Sequence, residues 1–321
     1  MLRFVLMFFL SVFGGMGAVN AQGYSQKNIR LIVPFAPGGS TDIIARAIAE
    51  PLGKILGQSV TVENKAGGGG SIGALDIIRA PKDGQVIGMA TVSTTASNPA
   101  INKKIGYDPI RDFQAITNIA ATPNVIAVHP QFPAKDYKSF IELIKRHPGK
   151  YAYSSSGAGG IGHLQTELFK SLTGASIIHS PYRGAGPALA DTVSGKVPII
   201  FDNLPSAFPF IRDGKLIPIV VAAPKRLVSM PNVPTFAEVG LMPVNRMAYY
   251  GLIGPAGMSK EALERIYRGV QKVLQDPVVR KRIEETGAMI VGNTPEQFAA
   301  EIKAEFEVYK GVVTKQGLTL H

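Results

Sequence analysis

Residues 29–52 read IRLIVPFAPGGSTDIIARAIAEPL, and this stretch decides the fold. Residues 29–35 are an apolar run rich in Ile and Val, which predicts a strand. Residues 36–42 form a turn of Ala, Pro, Gly, Ser, Thr and Asp. Ile43, Ile44, Ala47, Ile48, Leu52 and Ile55 then recur at helical spacing, so an amphipathic helix follows. Pro51 lies inside that pattern and should kink or end it. A strand, a glycine-rich turn and a helix make one unit of a parallel α/β sheet.

Working outward, the unit recurs. Residues 59–63 form a strand that leads into Gly67-Gly68-Gly69-Gly70-Ser71 and a helix reaching Arg79. Residues 86–91 form a strand followed by Ser93-Thr94-Thr95. Residues 112–121 and 124–128 are strands that carry the chain onward, and residues 139–146 are helical. Residues 151–154 are a strand, the turn 155–162 reads SSGAGGIG, and a helix runs from His163 to Leu172. Residues 177–179 are a strand, then Tyr182-Arg183-Gly184-Ala185-Gly186 and a helix from Pro187 to Val193. Residues 198–201 are a strand ending in Asp202-Asn203, and 217–221 and 249–253 are further strands. Two helices close the chain, the first capped by Ser259. The second opens on the capping box Thr294-Pro295-Glu296-Gln297. The result is two α/β lobes of similar construction, with the C-terminal helices returning to the first.

The chain has 321 residues, 45% of them apolar and 18% charged, which excludes a disordered or collagen-like chain. That length favours two domains over one. With no Cys there is no disulfide framework, thiol nucleophile or Cys-ligated metal. Arg3, the apolar run 4–13 and the small residues of Val19-Asn20-Ala21 read as a secretory signal peptide over residues 1–21. The run is shorter than the roughly 20 residues that span a bilayer, so a soluble, exported protein beginning near Gln22 is expected. The net charge of +11 contains no block of five like charges. Nucleic acid is therefore not an expected partner, and a diffuse positive field favours anionic ligands.

The turns 37–42, 67–73 and 155–162 share one physical property. Glycine lets backbone approach a ligand, and the free N–H groups of a helix N-terminus carry partial positive charge. Such turns suit carboxylate, phosphate or sulfate and lie at the carboxyl ends of strands. Residues 68–73 and 157–162 both match GxGxxG, but neither is followed by the acidic residue that would hold a ribose. Residues 69–73 match GxSxG, yet 64–68 separate Ser71 from its strand, unlike a nucleophile elbow. His129, His147, His163 and His179 are too irregularly spaced for a metal site. His147 reads as a helix C-cap, and Asp42 as a cap of its own helix.

The turns, their spacing and the leader together resemble the Bug-type (tripartite tricarboxylate transporter, TctC-like) periplasmic solute-binding proteins. The carrying segments include IVPFAPGGSTD at 32–42, VENKAGGGGSIG at 62–73, YDPIRDF at 107–113, YSSSGAGGIGHL at 153–164, PYRGAGPALAD at 181–191, FDNLPS at 201–206 and PNVPTFAEVG at 231–240. They cover nearly the whole exported chain in the family's order. Tyr249-Tyr250 stands where an aromatic pair with Trp is expected, Gly70-Ser71 stands where Gly-Asn is usual, and Pro51 is unusual. The resemblance implies a two-lobed periplasmic binding-protein fold of class II type, each lobe a mostly parallel sheet flanked by helices. Residues 22–124 with 248–321 make one lobe and 125–247 the other.

It also implies a small organic acid in the interlobe cleft, gripped by the loops 35–42 and 154–160, with delivery to a membrane transporter or a sensor protein. No enzyme activity, cofactor or metal is expected, and a monomer is. Gly38, Gly39, Ser40 and Thr41 are the expected donors of the first lobe. Ser154, Ser156, Gly157 and Gly159 are those of the second. Ser93 and Thr94 border the cleft, and Phe35 supplies an apolar wall. His163, Asp202 and Asn203 are expected to read the distal part of the ligand. The rival reading is an exported serine hydrolase using Ser71 or Ser156. A sensor-coupled carboxylate-binding subunit would share the same site and differ only in partner.

Overall fold

The computed structural model describes residues 28–320, and the leader reading of 1–21 lies outside them. The elements run β1 (Ile29–Val33), α1 (Ser40–Leu56), β2 (Val60–Asn64), α2 (Ser71–Ile78), β3 (Val86–Thr91), α3 (Asn98–Ile101) and β4 (Phe113–Thr122). The chain continues through β5 (Asn124–Val128), α4 (Tyr137–Arg146), β6 (Ala152–Ser155), α5 (Ile161–Thr173), β7 (Ile178–Pro181), α6 (Ala185–Val193), β8 (Ile199–Asn203), α7 (Leu204–Arg212) and β9 (Ile217–Ala222). It closes with β10 (Ala248–Pro255), α8 (Lys260–Gln275), α9 (Pro277–Glu284), β11 (Met289–Ile290) and α10 (Pro295–Gln316).

Two sheets result, in the orders β11-β4-β10-β3-β1-β2 and β7-β6-β8-β5-β9, and each is the centre of a lobe. Both are mixed, where the repeating unit led us to expect mostly parallel sheets. The βα units do pair in parallel: β1 with β2 and β3, and β6 with β7 and β8. The remaining pairings, of β10 with β3 and β4, β11 with β4, and β5 with β8 and β9, are antiparallel. The reason is connectivity. A parallel neighbour needs a crossover helix, and only Pro123 separates β4 from β5, so the chain passes from one sheet to the other without one.

The all-buried Ile29, Leu31, Ile32 and Val33 of β1 lie between two helical layers. On one side α1, α8 and α9 contribute Ile44, Ile48, Ile266, Val270 and Ile283. On the other, α2 and α10 contribute Ile77, Phe298, Ile302 and Tyr309. The C-terminal helices thus cover the first sheet. α10 also reaches the second lobe, where the Tyr309 hydroxyl accepts from Gln165 Nε2 at 3.1 Å.

Three boundaries differ from the sequence reading in the same way. α1, α5 and α6 begin at Ser40, Ile161 and Ala185, two or three residues ahead of Ile43, His163 and Pro187. Part of each glycine-rich turn is already the first helical turn. α1 also runs on through Pro51 to Leu56 and ends at the left-handed Gly57. His147 is the C-cap of α4, its N–H bonded to the Leu143 carbonyl.

Candidate functional site

The carboxyl ends of β1, β3, β6 and β8 face the crevice between the lobes, where open α/β sheets bind ligands. A small cavity of about 20 Å³, room for a water-sized occupant, lies there between the closely apposed lobes. Phe35, Gly39, Ser40 and Thr41 form one wall, and Thr91, Val92 and Ser93 form the floor beside them. Ser156, Ile161, Ala185 and Asn203 face them from the second lobe, with Ala248 at the base. Ser93 opens a π-type turn over Ser93–Ser97, a feature frequent at functional sites.

The helix starts explain what the cavity offers. Among the described residues, α1, α5, α6 and α7 begin at it, with N-caps Gly39, Gly160, Gly184 and Asn203, and none of the four has a side-chain cap. α4, α8, α9 and α10 begin elsewhere, and each is capped by a side chain: Asp136, Ser259, Asp276 and Thr294. The first turn of a helix always leaves N–H groups without an intrahelical partner. At the four remote helices a side chain takes up one of them. At the cavity no side chain among the described residues takes up the first-turn N–H groups of α1 and α6, which face it with the partial positive charge of their termini; the Ile161 N–H of α5 goes to Ser93 Oγ, and α7 has its N–H groups taken by the Pro123 carbonyl and Ser40 Oγ. α2, also uncapped at Gly70, begins at the rim, where a Cβ on Gly70 would meet Phe35 and Thr94.

The lobes touch across this cavity. The Ala36 N–H donates to the Arg183 carbonyl at 3.0 Å. The Ile161 N–H donates to Ser93 Oγ at 3.0 Å, and Ser97 Oγ donates to the Gly159 carbonyl at 3.0 Å. Ser40 Oγ lies 2.7 Å from Ser206 Oγ and accepts from the Ser206 N–H at 3.0 Å. Glycines permit the approach: Gly186 has room only for hydrogen, because a Cβ there would sit 2.2 Å from the Pro37 carbonyl oxygen.

The charged neighbours point away. Asp42 is a first-turn residue of α1 rather than its N-cap. Its carboxylate accepts from the Gly38 N–H, Arg46 and Asn64. Burial alone would raise its pKa, but those bonds outweigh burial and hold it below the ordinary carboxylate range. Asp202 is 5% exposed, and its Oδ2 accepts from Ser206 Oγ at 2.6 Å. Burial pushes its pKa up to about 7. Tyr250, 1% exposed, is buried beside Ser40 and Asp202.

Seven of the fourteen expected site residues therefore line the cavity: Phe35, Gly39, Ser40, Thr41, Ser93, Ser156 and Asn203. The others stand behind or beside it. Gly38 is exposed at the mouth and donates to Asp42. The hydroxyl of Thr94 bonds the Thr91 backbone, and that of Ser154 bonds Thr192. Gly157 and Gly159 shape the loop, at φ 146° and 77°, where side chains are strained. His163 does not line this cavity: its Nδ1 accepts from the Gly159 N–H at 3.1 Å. Its ring stacks on His179 with centroids 4.2 Å apart. Sequence reading passed over Thr91, Val92, Ile161, Ala185 and Ala248. For Ile161 and Ala185 the signal was present, since both lie inside glycine-rich turns that were recognised as such.

The hydrolase reading finds no constellation. His179 Nε2 pairs at 2.7 Å with Ser155, which is 1% exposed, and not with Ser71 or Ser156. Among the described residues no carboxylate is hydrogen-bonded to His179, while Asp202 bonds Ser206. No group of three His, Asp or Glu among the described residues is placed to hold a metal. No helix there is long and apolar enough to cross a membrane.

The sequence profile of the tripartite tricarboxylate transporter family receptors matches residues 44–318. Protein BugT of Bordetella pertussis is 32% identical over 317 residues, covering 98% of this chain and 97% of that protein. A solved structure described as a periplasmic transporter is 49% identical with a TM-score of 0.90, covering 93% of this chain and all of its own. The R. palustris protein Rpa4515, solved with adipate, is 31% identical with a TM-score of 0.87, covering 91% of this chain and 98% of its own.

Proposed function

The chain belongs to the tripartite tricarboxylate transporter receptor family, and from that premise we propose that it captures a small carboxylic acid in the interlobe cleft and delivers it to a membrane transporter. Rpa4515, solved with adipate, supports the ligand class. The observation that carries the reading in this chain is the capping contrast. The N-termini of α1, α5, α6 and α7, none capped by the side chain of its own N-cap residue, converge on one cavity, whereas α4, α8, α9 and α10, which begin elsewhere, are each capped. Free N–H groups and neutral hydroxyls suit a carboxylate. They supply neither a nucleophile with its base nor a metal cradle, so the protein binds without turnover.

In this reading residues 22–124 and 248–321 form one lobe and 125–247 the other. The protein acts in the periplasm, as a monomer, after removal of residues 1–21. Gly39, Ser40 and Thr41 of one lobe and Ser156, Ile161 and Ala185 of the other surround the carboxylate. A thermal-shift screen of organic acids tests this. A ligand that binds only the folded state raises the midpoint by about 2.7 kcal/mol of added stability at a hundred times its Kd. At least one acid should shift the midpoint in a saturable way while its methyl ester does not. No shift with any acid, or hydrolysis of the ester, would sink the proposal.

A further inference from the structure

We infer that His163 is a positioning residue for ligand capture: through Gly159 it fixes the second-lobe loop 155–160 in the shape that meets the ligand and the first lobe. This role rests on the carboxylate reading and deepens it. The loop contributes Ser156 to the cavity wall. Gly157, Gly159 and Gly160 give it few side chains of its own, and Gly157 and Gly159 hold positive φ values of 146° and 77°. Glycine loses more conformational freedom on ordering than any other residue, so such a loop is not rigid by itself. Whatever holds its backbone before the ligand arrives spares binding the cost of ordering it.

Two histidines do this. His163 Nδ1 accepts from the Gly159 N–H at 3.1 Å, a role open only to a ring nitrogen without a proton. In the neutral ring the proton is then on Nε2, which lies 3.9 Å from Glu167 Oε1. His179 Nε2 lies 2.7 Å from Ser155 Oγ, and Ser155 Oγ accepts from the Gly157 N–H at 3.3 Å. The two rings stack with centroids 4.2 Å apart and planes 8° apart. His179 in turn stacks at 4.8 Å on Tyr153, which is fully buried. The anchors thus come from β6, β7 and α5. All of them lie inside the second lobe, so they are in place before the lobes close.

Gly159 is where the anchoring meets the first lobe. Its N–H goes to His163, and its carbonyl accepts from Ser97 Oγ of the first lobe at 3.0 Å. There is no slack, since a Cβ on Gly159 would stand 2.5 Å from Asn98 Oδ1. Two residues on, the Ile161 N–H reaches Ser93 Oγ at 3.0 Å. Without the His163 bond the loop samples other shapes, and only the fraction in this one closes on a ligand. Apparent affinity falls by that fraction, although His163 does not line the cavity.

The experiment is calorimetry at pH 7 on the protein without its leader, with the strongest acid of the screen, in His163→Ala and His163→Asn. His163→Ala should bind at least tenfold more weakly than wild type. Asparagine carries Oδ1 on Cγ, where histidine carries Nδ1, so His163→Asn can still accept from Gly159. It should bind at least threefold more tightly than the alanine variant. Hydrogen exchange on the ligand-free proteins separates positioning from a general loss of stability. In His163→Ala the amides of 155–160 should exchange at least tenfold faster while those of α4 and α8 keep their rates. Affinity of the alanine variant within tenfold of wild type, no threefold recovery with asparagine, or unchanged exchange in the loop overturns the positioning role and leaves the carboxylate reading intact. Absence of any acid ligand for the wild type overturns the reading and the role together.

Discussion

Two buried titrating residues act on stability in opposite directions, and each hides the other. Asp202 has a pKa raised from 3.8 to about 7 by burial. Its neutral form is the one the fold accepts, so this stability is full below pH 3.8 and is lost as pH rises through 7. His179 has a pKa lowered from 6.5 to about 3 by burial, His163 and Lys170. Its stability is present above pH 6.5 and is lost as pH falls toward 3. Between pH 4 and 6.5 the two slopes oppose. In Asp202→Asn the amide oxygen still accepts from Ser206, and the variant should gain on wild type as pH rises. At pH 7.5 the gain should be at least about 1 kcal/mol, roughly 2 °C in midpoint. In His179→Gln the amide can still reach Ser155, and the variant should gain on wild type as pH falls. Melting curves at pH 4, 5.5 and 7.5 check both. A gain that is independent of pH in either variant would refute the assigned titration. The burial of Asp202 and of the His163–His179 stack was not legible in the sequence, where Asp202 and His163 read as ligand contacts. Which way a side chain at a strand end or first helical turn points is decided by tertiary placement: Asp202 turns to Ser206, which contacts Ser40 of the other lobe, and His163 stacks on His179.

At the scale of elements, the capping contrast makes a stability effect and a binding effect separable. Asp136 accepts from the Ser139 N–H at the start of α4, remote from the cavity. Asp136→Ala should cost about 0.5–2 kcal/mol of stability and leave ligand affinity within twofold. Gly39→Ser should do the reverse. A serine there can accept from the first turn of α1, adding a few tenths of a kcal/mol to the ligand-free protein. It also takes up N–H groups meant for the carboxylate, and its Cβ would stand 3.2 Å from the Ala185 Cβ. Affinity should fall at least tenfold, and equal affinities by calorimetry would show that α1 does not hold the ligand through those groups. The elements themselves were largely legible, because the spacing of Ile44, Ile48 and Leu52 needs only the chain's own pattern. The helix starts were not, since glycine is common to turns and N-caps, and local sequence does not say which of Gly38 or Gly39 ends the turn. α7, which holds Pro205 and Pro209, has no counterpart in the sequence reading. Pro205 sits in the first turn, where its missing N–H costs nothing. The antiparallel arrival of β5 and β10 follows from how the chain crosses between sheets, which no window of residues contains.

For the molecule as a whole, the contacts across the cleft describe a closed state, and closure is where ligand binding gets its leverage. The lobes join through Pro123 on one side and residues 223–247 on the other, so a hinge between them can open the cavity. A ligand that touches both lobes favours the closed form by the difference in its affinity for the two forms. Gly186 tests this without touching the hinge. It lies in the first turn of α6 at an ordinary helical φ, so alanine suits the helix at least as well as glycine does. In the closed form, however, its Cβ would be 2.2 Å from the Pro37 carbonyl oxygen, backbone against backbone across the cleft. Gly186→Ala should therefore leave the separate lobes as stable as before while denying them full contact. Affinity should fall at least tenfold, equivalent to about 1.4 kcal/mol. The radius of gyration from solution scattering at saturating ligand should stay at the ligand-free value, whereas wild type contracts. Gly311→Ala in α10, where a Cβ meets nothing within 4 Å, is the matched control and should bind and contract like wild type. If Gly186→Ala contracts normally and keeps its affinity, the ligand-bound state is more open than the one described here, and the contacts of Ser40, Ser93 and Ala36 with the second lobe are not part of the binding step.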